Sequence, residues 1–231
     1  MNAYWIAGLL CLVLGILLLS GASLIELTGV FLLIISIHLF AGNFIWRASK
    51  SVDYLTLPFT DLFSTDEDYV LDACCGSGRT TIALSKVLKK GRIVAFDRFD
   101  APYIAGGGRQ LLEENVKLAE IQDKVEIIKG DVTKIQIKDD TFDSAVSTYA
   151  LDHLTDKTTA LKELNRVLKP GGRFLLVVFV PNIHTFLVAN MLCLHLTSRG
   201  EWRRFFSETG FEILDEGAIN VGAYFLARKR Q

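Results

Sequence analysis

The chain has 231 residues, which is enough for one well-packed domain and a smaller additional element. Its 25 Lys and Arg residues nearly balance its 26 Asp and Glu residues, and the formal net charge is −1. This balance provides no basic surface, so a nucleic acid is excluded as the expected partner. Half of the residues are hydrophobic, which is more than a purely soluble domain needs.

Two apolar runs account for the excess hydrophobicity. YWIAGLLCLVLGILLLS and TGVFLLIISIHLFAGNFIW are joined by GASLIEL, and Glu26 is the only charged residue before Arg47. Both runs approach the roughly 20 residues of a membrane-spanning helix, so residues 1–50 are predicted to form a transmembrane helical hairpin. A single span with a re-entrant or interfacial piece is one alternative. A cleaved signal peptide is another, although MNAYW lacks its positive start.

The flank of the second run predicts the orientation. Arg47 and Lys50 follow it directly, and such residues stay on the cytoplasmic side. We therefore predict an integral membrane protein whose remaining residues are cytoplasmic. There, the four cysteines should be reduced, and without a CxxC pair they predict no metal site.

After a linker with a short helix at 51–68, strands alternate with amphipathic helices. The predicted strands are YVLDA, RIVAFD, KVEIIKGD, TFDSAVSTYA and RFLLVVFV. The predicted helices are GRTTIALSKVLKK, GGGRQLLEENVKLAEI and DKTTALKELNRVLKPGG. A last helix and two strands that add an antiparallel edge end the chain. This order predicts that residues 69–231 form an α/β domain with a doubly wound, mostly parallel sheet.

The stretch VLDACCGSGRTT runs from the first strand into a glycine turn. Gly76 and Gly78 allow the backbone to approach a ligand, and Asp97 ends the next strand, where a carboxylate accepts ribose hydroxyls. A dinucleotide site would have a third glycine where Thr81 stands, and the Lys of a P-loop is absent. The turn therefore predicts a nucleoside ligand without a pyrophosphate.

From Val70 to Arg228 the chain resembles the class I S-adenosylmethionine-dependent methyltransferases. VLDACCGSG is similar to their first motif, Asp97 to their ribose-binding acid, and GDVTKIQIKDDTFDSAVSTYALDHL and ELNRVLKPGGRFLLV to later blocks in the same order. The resemblance implies a Rossmann-like, seven-stranded fold with a reversed last strand. It also implies S-adenosyl-L-methionine as the cofactor.

The resemblance assigns cofactor-binding roles by position. Asp72 lies at the methionine end, Asp97 at the ribose and Thr148 at the floor near the methyl group. The other implied cofactor-binding residues are Cys74, Gly76, Gly78, Asp131 and Val132. Some have simpler interpretations: Asp72 as a helix cap, Asp131 as a turn former, and Cys74 with Cys75 as small packing residues.

Three residues after the fourth strand are candidates for catalysis. His153 is the candidate general base, Asp152 could orient it or act itself, and Tyr149 would line the floor of the site. Alternatively, Asp152 caps the next helix and His153 only packs. One departure from the family is RFDAPYIAGGGRQ, where Gly106, Gly107 and Gly108 predict a flexible loop beside the ribose.

PNIHTFLVANMLCLHLTSRG follows the fifth strand and is strongly apolar. It predicts a wall for an acyl or prenyl chain, a segment that dips into the membrane face, or an ordinary core helix. The wall residues would be Phe186, Leu187, Met191, Leu192 and Leu194. His184 and His195 are further candidate bases.

These features predict a membrane-anchored methyltransferase that acts on a membrane-associated hydrophobic acceptor. A prenylated quinone precursor or a phospholipid headgroup comes first, and a small thiol or phenol next. The alternatives are a membrane protein that uses S-adenosylmethionine for another transfer, a non-catalytic interaction module tethered to the membrane, and, last, a nicotinamide oxidoreductase.

Overall fold

A computed structural model describes residues 2–18, 23–48, 61–102, 104–219 and 222–230. The helices are α1 (Asn2–Leu18), α2 (Ser23–Ala48), α3 (Arg79–Val87), α4 (Arg109–Leu118), α5 (Lys157–Val167), α6 (Ile183–Ala189) and α7 (Arg199–Glu208). The strands are β1 (Tyr69–Ala73), β2 (Arg92–Asp97), β3 (Val125–Lys129), β4 (Phe142–Thr148), β5 (Leu168–Phe179), β6 (Phe211–Ile219) and β7 (Gly222–Lys229).

The chain divides into two compact units. One contains residues 1–52 and 181–196, and the other contains residues 53–180 and 197–231. The sequence assigned residues 181–196 to the α/β domain, whereas in the structure they pack with the N-terminal helices. Their lack of charged residues is consistent with this packing.

Small residues bring α1 and α2 together. A Cβ on Gly15 would lie 3.1 Å from the carbonyl oxygen of Gly29, and the Ser36 hydroxyl donates a hydrogen bond to the Gly8 carbonyl at 3.0 Å. Close approach through small residues and hydrogen bonds between helices is typical of packing inside membranes. The predicted helical pair is therefore present.

The apolar stretches of α1 and α2 differ in whether they are long enough to cross a membrane. In the described chain, one helix is long and apolar enough to cross a membrane, with its span at Leu27–Phe44, and the apolar stretch of α1 is shorter, at Ile6–Ile16. The crossing itself remains a prediction. The side chains of Glu26 and Arg47, and all of Lys50, lie outside the described residues, as does 51–60 of the predicted linker. Residues 61–68 form turns and no helix.

The second unit is a seven-stranded sheet in the order β3-β2-β1-β4-β5-β7-β6. The predicted doubly wound, mostly parallel sheet is confirmed. β7 is antiparallel to both β5 and β6, so the reversed strand lies inside the sheet. The final hairpin forms one edge of the sheet, so the predicted antiparallel edge is present, and the last strand, β7, is the reversed one that the family resemblance implies.

The helix predicted to continue to Pro170 and two glycines ends earlier, at Val167, and β5 begins at Leu168. The pairing of β4 with β5 shifts between Phe142 and Ser144, opposite this Pro-Gly segment. Proline cannot donate to the ladder, so it is accommodated at an irregularity of the sheet.

Both faces of the sheet are covered. Leu71 packs with Phe96, Phe174 and Phe225 in one cluster, while its neighbour Val70 belongs to a second. Successive strand residues point to opposite faces, so these clusters occupy the two sides of the sheet. Because β1, β2 and β4 are parallel, the polar residues that follow them meet at one edge of the sheet.

Candidate functional site

A cavity of about 310 Å³ opens at the carboxyl ends of β1, β2 and β4. In parallel α/β sheets, ligands bind at this edge, where the strand order reverses. The lining residues are Cys74, Cys75, Gly76, Ser77, Arg79, Thr80, Asp97, Arg98, Asp100, Ala101, Pro102, Ile104, Gly130, Asp131, Val132, Thr148, Tyr149, Ala150, His153 and Leu154.

Asp97 joins the turns that follow β1 and β2. Its Oδ2 accepts the backbone N–H of Gly76 at 2.9 Å, and its Oδ1 accepts the backbone N–H of Phe99 at 2.7 Å. A carboxylate offers about four acceptor positions, so each oxygen can still accept one more hydrogen bond. The carboxylate is therefore fixed in place while it can still bind a pair of hydroxyl groups.

The turn after β1 has an unusual backbone. Cys74, Gly76 and Gly78 have φ values of 61°, 54° and 86°, and the N–H of Cys74 donates to the carbonyl of Phe96 at 2.7 Å. A Cβ on Gly78 would lie 2.3 Å from Leu112 Cδ1. Glycine is required here because the left-handed backbone and the buried Leu112 leave no room for a side chain.

The three-glycine segment forms a tight turn against the site. Gly106, Gly107 and Gly108 all have positive φ, and a Cβ on Gly107 would lie 2.0 Å from the carbonyl oxygen of Phe99. A Cβ on Gly108 would lie 3.2 Å from the carbonyl of Gly76. The predicted flexible loop is thus a close-packed turn that supports both backbone partners of Asp97.

Asp72 does not line the cavity. It is buried at the end of β1, and Oδ2 accepts a hydrogen bond from the Thr81 hydroxyl at 2.5 Å. Burial is the main reason that the pKa of Asp72 rises to about 7, and the nearby Asp97 carboxylate raises it further. Asp72 thus contacts the first turn of α3, but the N-cap of that helix is Gly78. A direct cofactor role for Asp72 stays a prediction.

Asp131 and Thr148 both line the cavity. Asp131 Oδ1 accepts the N–H of Thr133 at 2.8 Å and its hydroxyl at 2.7 Å, and these bonds lower the pKa of Asp131. Its Oδ2 is 3.6 Å from Arg98. The Thr148 hydroxyl is hydrogen-bonded to the hydroxyl of Thr80 at 2.7 Å. Asp131 therefore forms a turn through Oδ1, as the simpler interpretation predicted, while its Oδ2 faces Arg98.

Tyr149 and His153 both line the cavity. Tyr149 has a left-handed backbone, with φ at 52°, and its ring centroid is 4.6 Å from that of Phe179. The His153 side chain is 58 % exposed, and its Nε2 is 4.0 Å from Oδ2 of the fully buried Asp152. Burial raises the pKa of Asp152, and His153 opposes the increase.

The alternative that Asp152 caps the next helix is wrong. The N-cap of α5 is Asp156, whose Oδ1 accepts the N–H of Thr159 at 2.9 Å. Asp152 instead lies in a short 3₁₀ turn, Leu151–His153, that follows the end of β4. Its position behind His153 suits the predicted orienting role.

The cysteines are free thiols. Burial raises the pKa of Cys74 and of Cys75, so both are protonated at neutral pH and are poor nucleophiles. Across the described residues, no group of three His, Cys, Asp or Glu side chains is placed to hold a metal ion.

Arg98 and Thr80 are cavity residues that the sequence analysis did not identify. Arg98 pairs with Asp100 at 3.2 Å and with Asp131, and it directly follows Asp97 in the chain. That adjacency to the predicted ribose-binding acid was the available signal. Nothing in the sequence marked Thr80, since its relation to Thr148 is created by the pairing of β1 with β4.

The apolar segment after β5 belongs to the helical unit, the compact unit of residues 1–52 and 181–196. The ring centroids of Phe186 and His38 are 5.2 Å apart, and Leu194 is exposed. His184 and His195 are also exposed, and none of these residues lines the cavity. The side chains of Met191 and Leu192 lie outside the described residues.

Residues 71–176 match the methyltransferase domain family. This chain is 40 % identical to a demethylmenaquinone methyltransferase of Lactiplantibacillus plantarum over 106 residues, which are 46 % of this chain and 42 % of the relative. It is 38 % identical to a 2-phytyl-1,4-naphtoquinone methyltransferase of Synechococcus elongatus over 107 residues, 46 % of this chain and 43 % of the relative. The matched segment thus spans less than half the length of these relatives.

The fold is also found in solved structures. A SAM-dependent methyltransferase from Aquifex aeolicus superposes with a TM-score of 0.60 at 18 % identity, covering 81 % of this chain and 98 % of that chain. The domain match and the relatives support the predicted enzyme class, a methyltransferase, and its predicted cofactor, S-adenosylmethionine.

Proposed function

We propose that this protein is an S-adenosylmethionine-dependent methyltransferase that acts on a membrane-associated hydrophobic acceptor, with a quinone precursor as the first candidate. The carboxylate of Asp97 carries the proposal. It is held by two backbone N–H groups at the edge of a ligand-sized cavity and retains acceptor capacity for two hydroxyl groups.

The residues around the cavity fit a nucleoside bearing an amino acid. Asp97 would accept the ribose hydroxyls, Gly76 and Gly78 would allow close backbone approach with Cys74 in the same turn, and Asp131 with Val132 would border the adenine. Thr148 would lie near the methyl group, and Asp72 would act through Thr81. When bound, S-adenosylmethionine supplies a methyl group activated by its attachment to a positively charged sulfur.

The protein contributes position and proton removal. Methyl transfer requires the attacking atom, the methyl carbon and the sulfur in line, so restraint of the acceptor increases the rate. An acceptor that becomes acidic during transfer, such as a hydroquinone, phenol or thiol, must lose a proton, and His153 is the proposed acceptor of that proton. Asp152 would position the imidazole and stabilise its protonated form, and Tyr149 would line the floor of the site.

The acceptor class rests on two independent observations. The matched relatives carry names of naphthoquinone methyltransferases, but the match ends near residue 176, before the apolar segment that follows β5. The hydrophobic helices α1 and α2 support a location in the membrane, with the α/β domain on the cytoplasmic side. A phospholipid headgroup, a small thiol or a phenol would also be accessible as an acceptor at this location.

A binding and transfer assay tests the proposal. Calorimetric titration of the detergent-purified chain with S-adenosylhomocysteine should give micromolar binding that Asp97→Ala abolishes and Asp97→Asn weakens. Glu113→Gln, on the exposed face of α4, removes a charge elsewhere and should bind normally. Labelled methyl should then pass from the cofactor to demethylmenaquinol in proteoliposomes.

The three alternatives predict different results. Binding without transfer to any lipid, quinol, thiol or phenol would favour other chemistry with the same cofactor. Absence of binding by the folded chain would leave the non-catalytic module tethered to the membrane, and binding of NAD(H) instead would favour an oxidoreductase.

A further inference from the structure

The segment after β5 is unusually apolar for a connection in an α/β domain. No Asp, Glu, Lys or Arg occurs between Arg173 and Arg199. The second half of this stretch contains α6 and a 3₁₀ helix, Asn190–His195, and clusters with α1 and α2 rather than with the sheet. It therefore shares the environment of the hydrophobic helices.

The contact between α6 and α2 lies inside the candidate membrane span of α2. Phe186 contacts His38, and His38 lies six residues before Phe44, the last residue of the candidate span. With a rise of 1.5 Å per residue, His38 lies about 9 Å inside the span from that end. If α2 crosses a membrane, the ring of Phe186 lies below the headgroups, within the hydrocarbon.

The hydrogen bonds at the start of α6 are made within the segment. The N–H of Thr185 donates to Asn182 Oδ1 at 2.9 Å, and the N–H of Asn182 donates to Thr185 Oγ1 at 2.9 Å. The N–H of Phe186 donates to the carbonyl of Asn182 at 2.9 Å. Backbone groups that enter hydrocarbon must be satisfied within the protein, and these are.

Several large apolar side chains of the segment are exposed. Ile183 and Leu194 are each 63 % exposed and Phe186 is partly exposed, beside the exposed side chains of His184 and His195. Acyl chains would cover the apolar side chains without penalty.

We propose that residues 183–195 are a membrane-inserted element that lies beside α2 and contacts phospholipid acyl chains. The proposal rests on the proposed membrane location of α2. It deepens the proposed function, because the segment directly follows β5, whose last residue Phe179 contacts Tyr149 at the cavity.

Photocrosslinking of the full chain in proteoliposomes tests this inference. p-Benzoylphenylalanine is placed singly at Ile183, Leu194, Ile37 or Leu118, and the vesicles contain phosphatidylcholine with a labelled acyl chain. Ile37 lies in the span and is the positive control; Leu118 on α4 is 82 % exposed and is the matched control outside the helical unit. S-Adenosylhomocysteine binding by each variant verifies its folding.

We expect lipid adducts at Ile183 and Leu194 comparable to those at Ile37 and several times those at Leu118. Adducts at Ile37, with only the Leu118 level at Ile183 and Leu194, would overturn the inference and leave the membrane anchor intact. No adduct at Ile37 would overturn both the inference and the anchor. Methyl transfer measured in detergent remains a separate readout of the proposed activity.

Discussion

Gly107 lies so close to Phe99 that a Cβ on the glycine would be 2.0 Å from the Phe99 carbonyl oxygen. The N–H of Phe99 is one of the two backbone donors that hold Asp97. The packing of Gly107 against Phe99 therefore supports one of the two donors that position the carboxylate.

Gly107→Ala should weaken S-adenosylhomocysteine binding about tenfold or more, because the methyl group must displace the segment that holds Asp97. Gly106→Ala is the matched control. Gly106 also has positive φ, at 60°, but a Cβ there meets nothing within 4 Å. It should show only the left-handed strain, about 1 kcal/mol of unfolding free energy, and nearly normal binding by calorimetry. Equal losses of binding in both variants would contradict this explanation.

Asp72→Asn should make folding stability less dependent on pH. The pKa of Asp72 is about 7 when folded and about 3.9 when unfolded, so the folded state holds an extra proton between these values. Stability therefore falls as pH rises through this window, by up to about 1.4 kcal/mol per pH unit. Urea midpoints of the full chain in detergent, measured from pH 5 to 8 without cofactor, should decline in the wild type and less in the variant.

Thr81→Val provides the opposite control for Asp72. It removes the hydroxyl that stabilises the ionised carboxylate, so the pKa should rise further and the decline should continue above pH 7. If both variants follow the wild-type pH curve, Asp72 does not ionise in the folded state as described.

Asp152→Asn should lower kcat about tenfold or more and leave the acceptor KM and the S-adenosylhomocysteine affinity nearly unchanged. The amide keeps the shape of the side chain but removes the negative charge 4.0 Å from Nε2 of His153, which would stabilise the proton that the imidazole takes up during transfer. Both constants are measured with saturating cofactor. Asp156→Asn, at the exposed cap of α5, should leave kcat unchanged. An unchanged kcat in Asp152→Asn would remove Asp152 from the mechanism.

Cys74→Ala should leave S-adenosylhomocysteine affinity and methyl transfer within about threefold of wild type, a difference under 1 kcal/mol. The thiol is protonated because burial raises the pKa of Cys74, and alanine fits the same left-handed turn at similar cost. In the wild type, bound S-adenosylhomocysteine should slow alkylation of Cys74, because Cys74 lines the cavity. Loss of transfer in Cys74→Ala, with binding retained, would assign the thiol a chemical role.

The sequence predicted β1 and β2 to the residue, because each is a short apolar run bounded by polar or glycine residues. It also placed Asp97 at the correct edge. It did not show that Asp97 is held by Gly76, since that bond joins residues 21 positions apart through the register of the two strands. The sequence also did not show that β7, and not β6, pairs with β5, because the periodicity of a hairpin does not specify which of its strands joins the sheet.

The three glycines were recognised but misinterpreted. Composition alone suggests flexibility, whereas the contacts of Gly107 with Phe99 and of Gly108 with Gly76 show that these two glycines allow close approach. The packing of α6 on α2 was not predicted either, because both segments are largely apolar and give no clear periodic face to match.

The helical unit is assembled from two parts of the chain, residues 1–52 and 181–196. A ribosome that has completed α2 must synthesise about 140 more residues before α6 is complete, which takes roughly 7 to 28 s at about 5 to 20 residues per second. During this interval, the side of α2 that α6 later contacts has no partner from α6. The order of biosynthesis therefore places the closing of the helical unit after β5 is made.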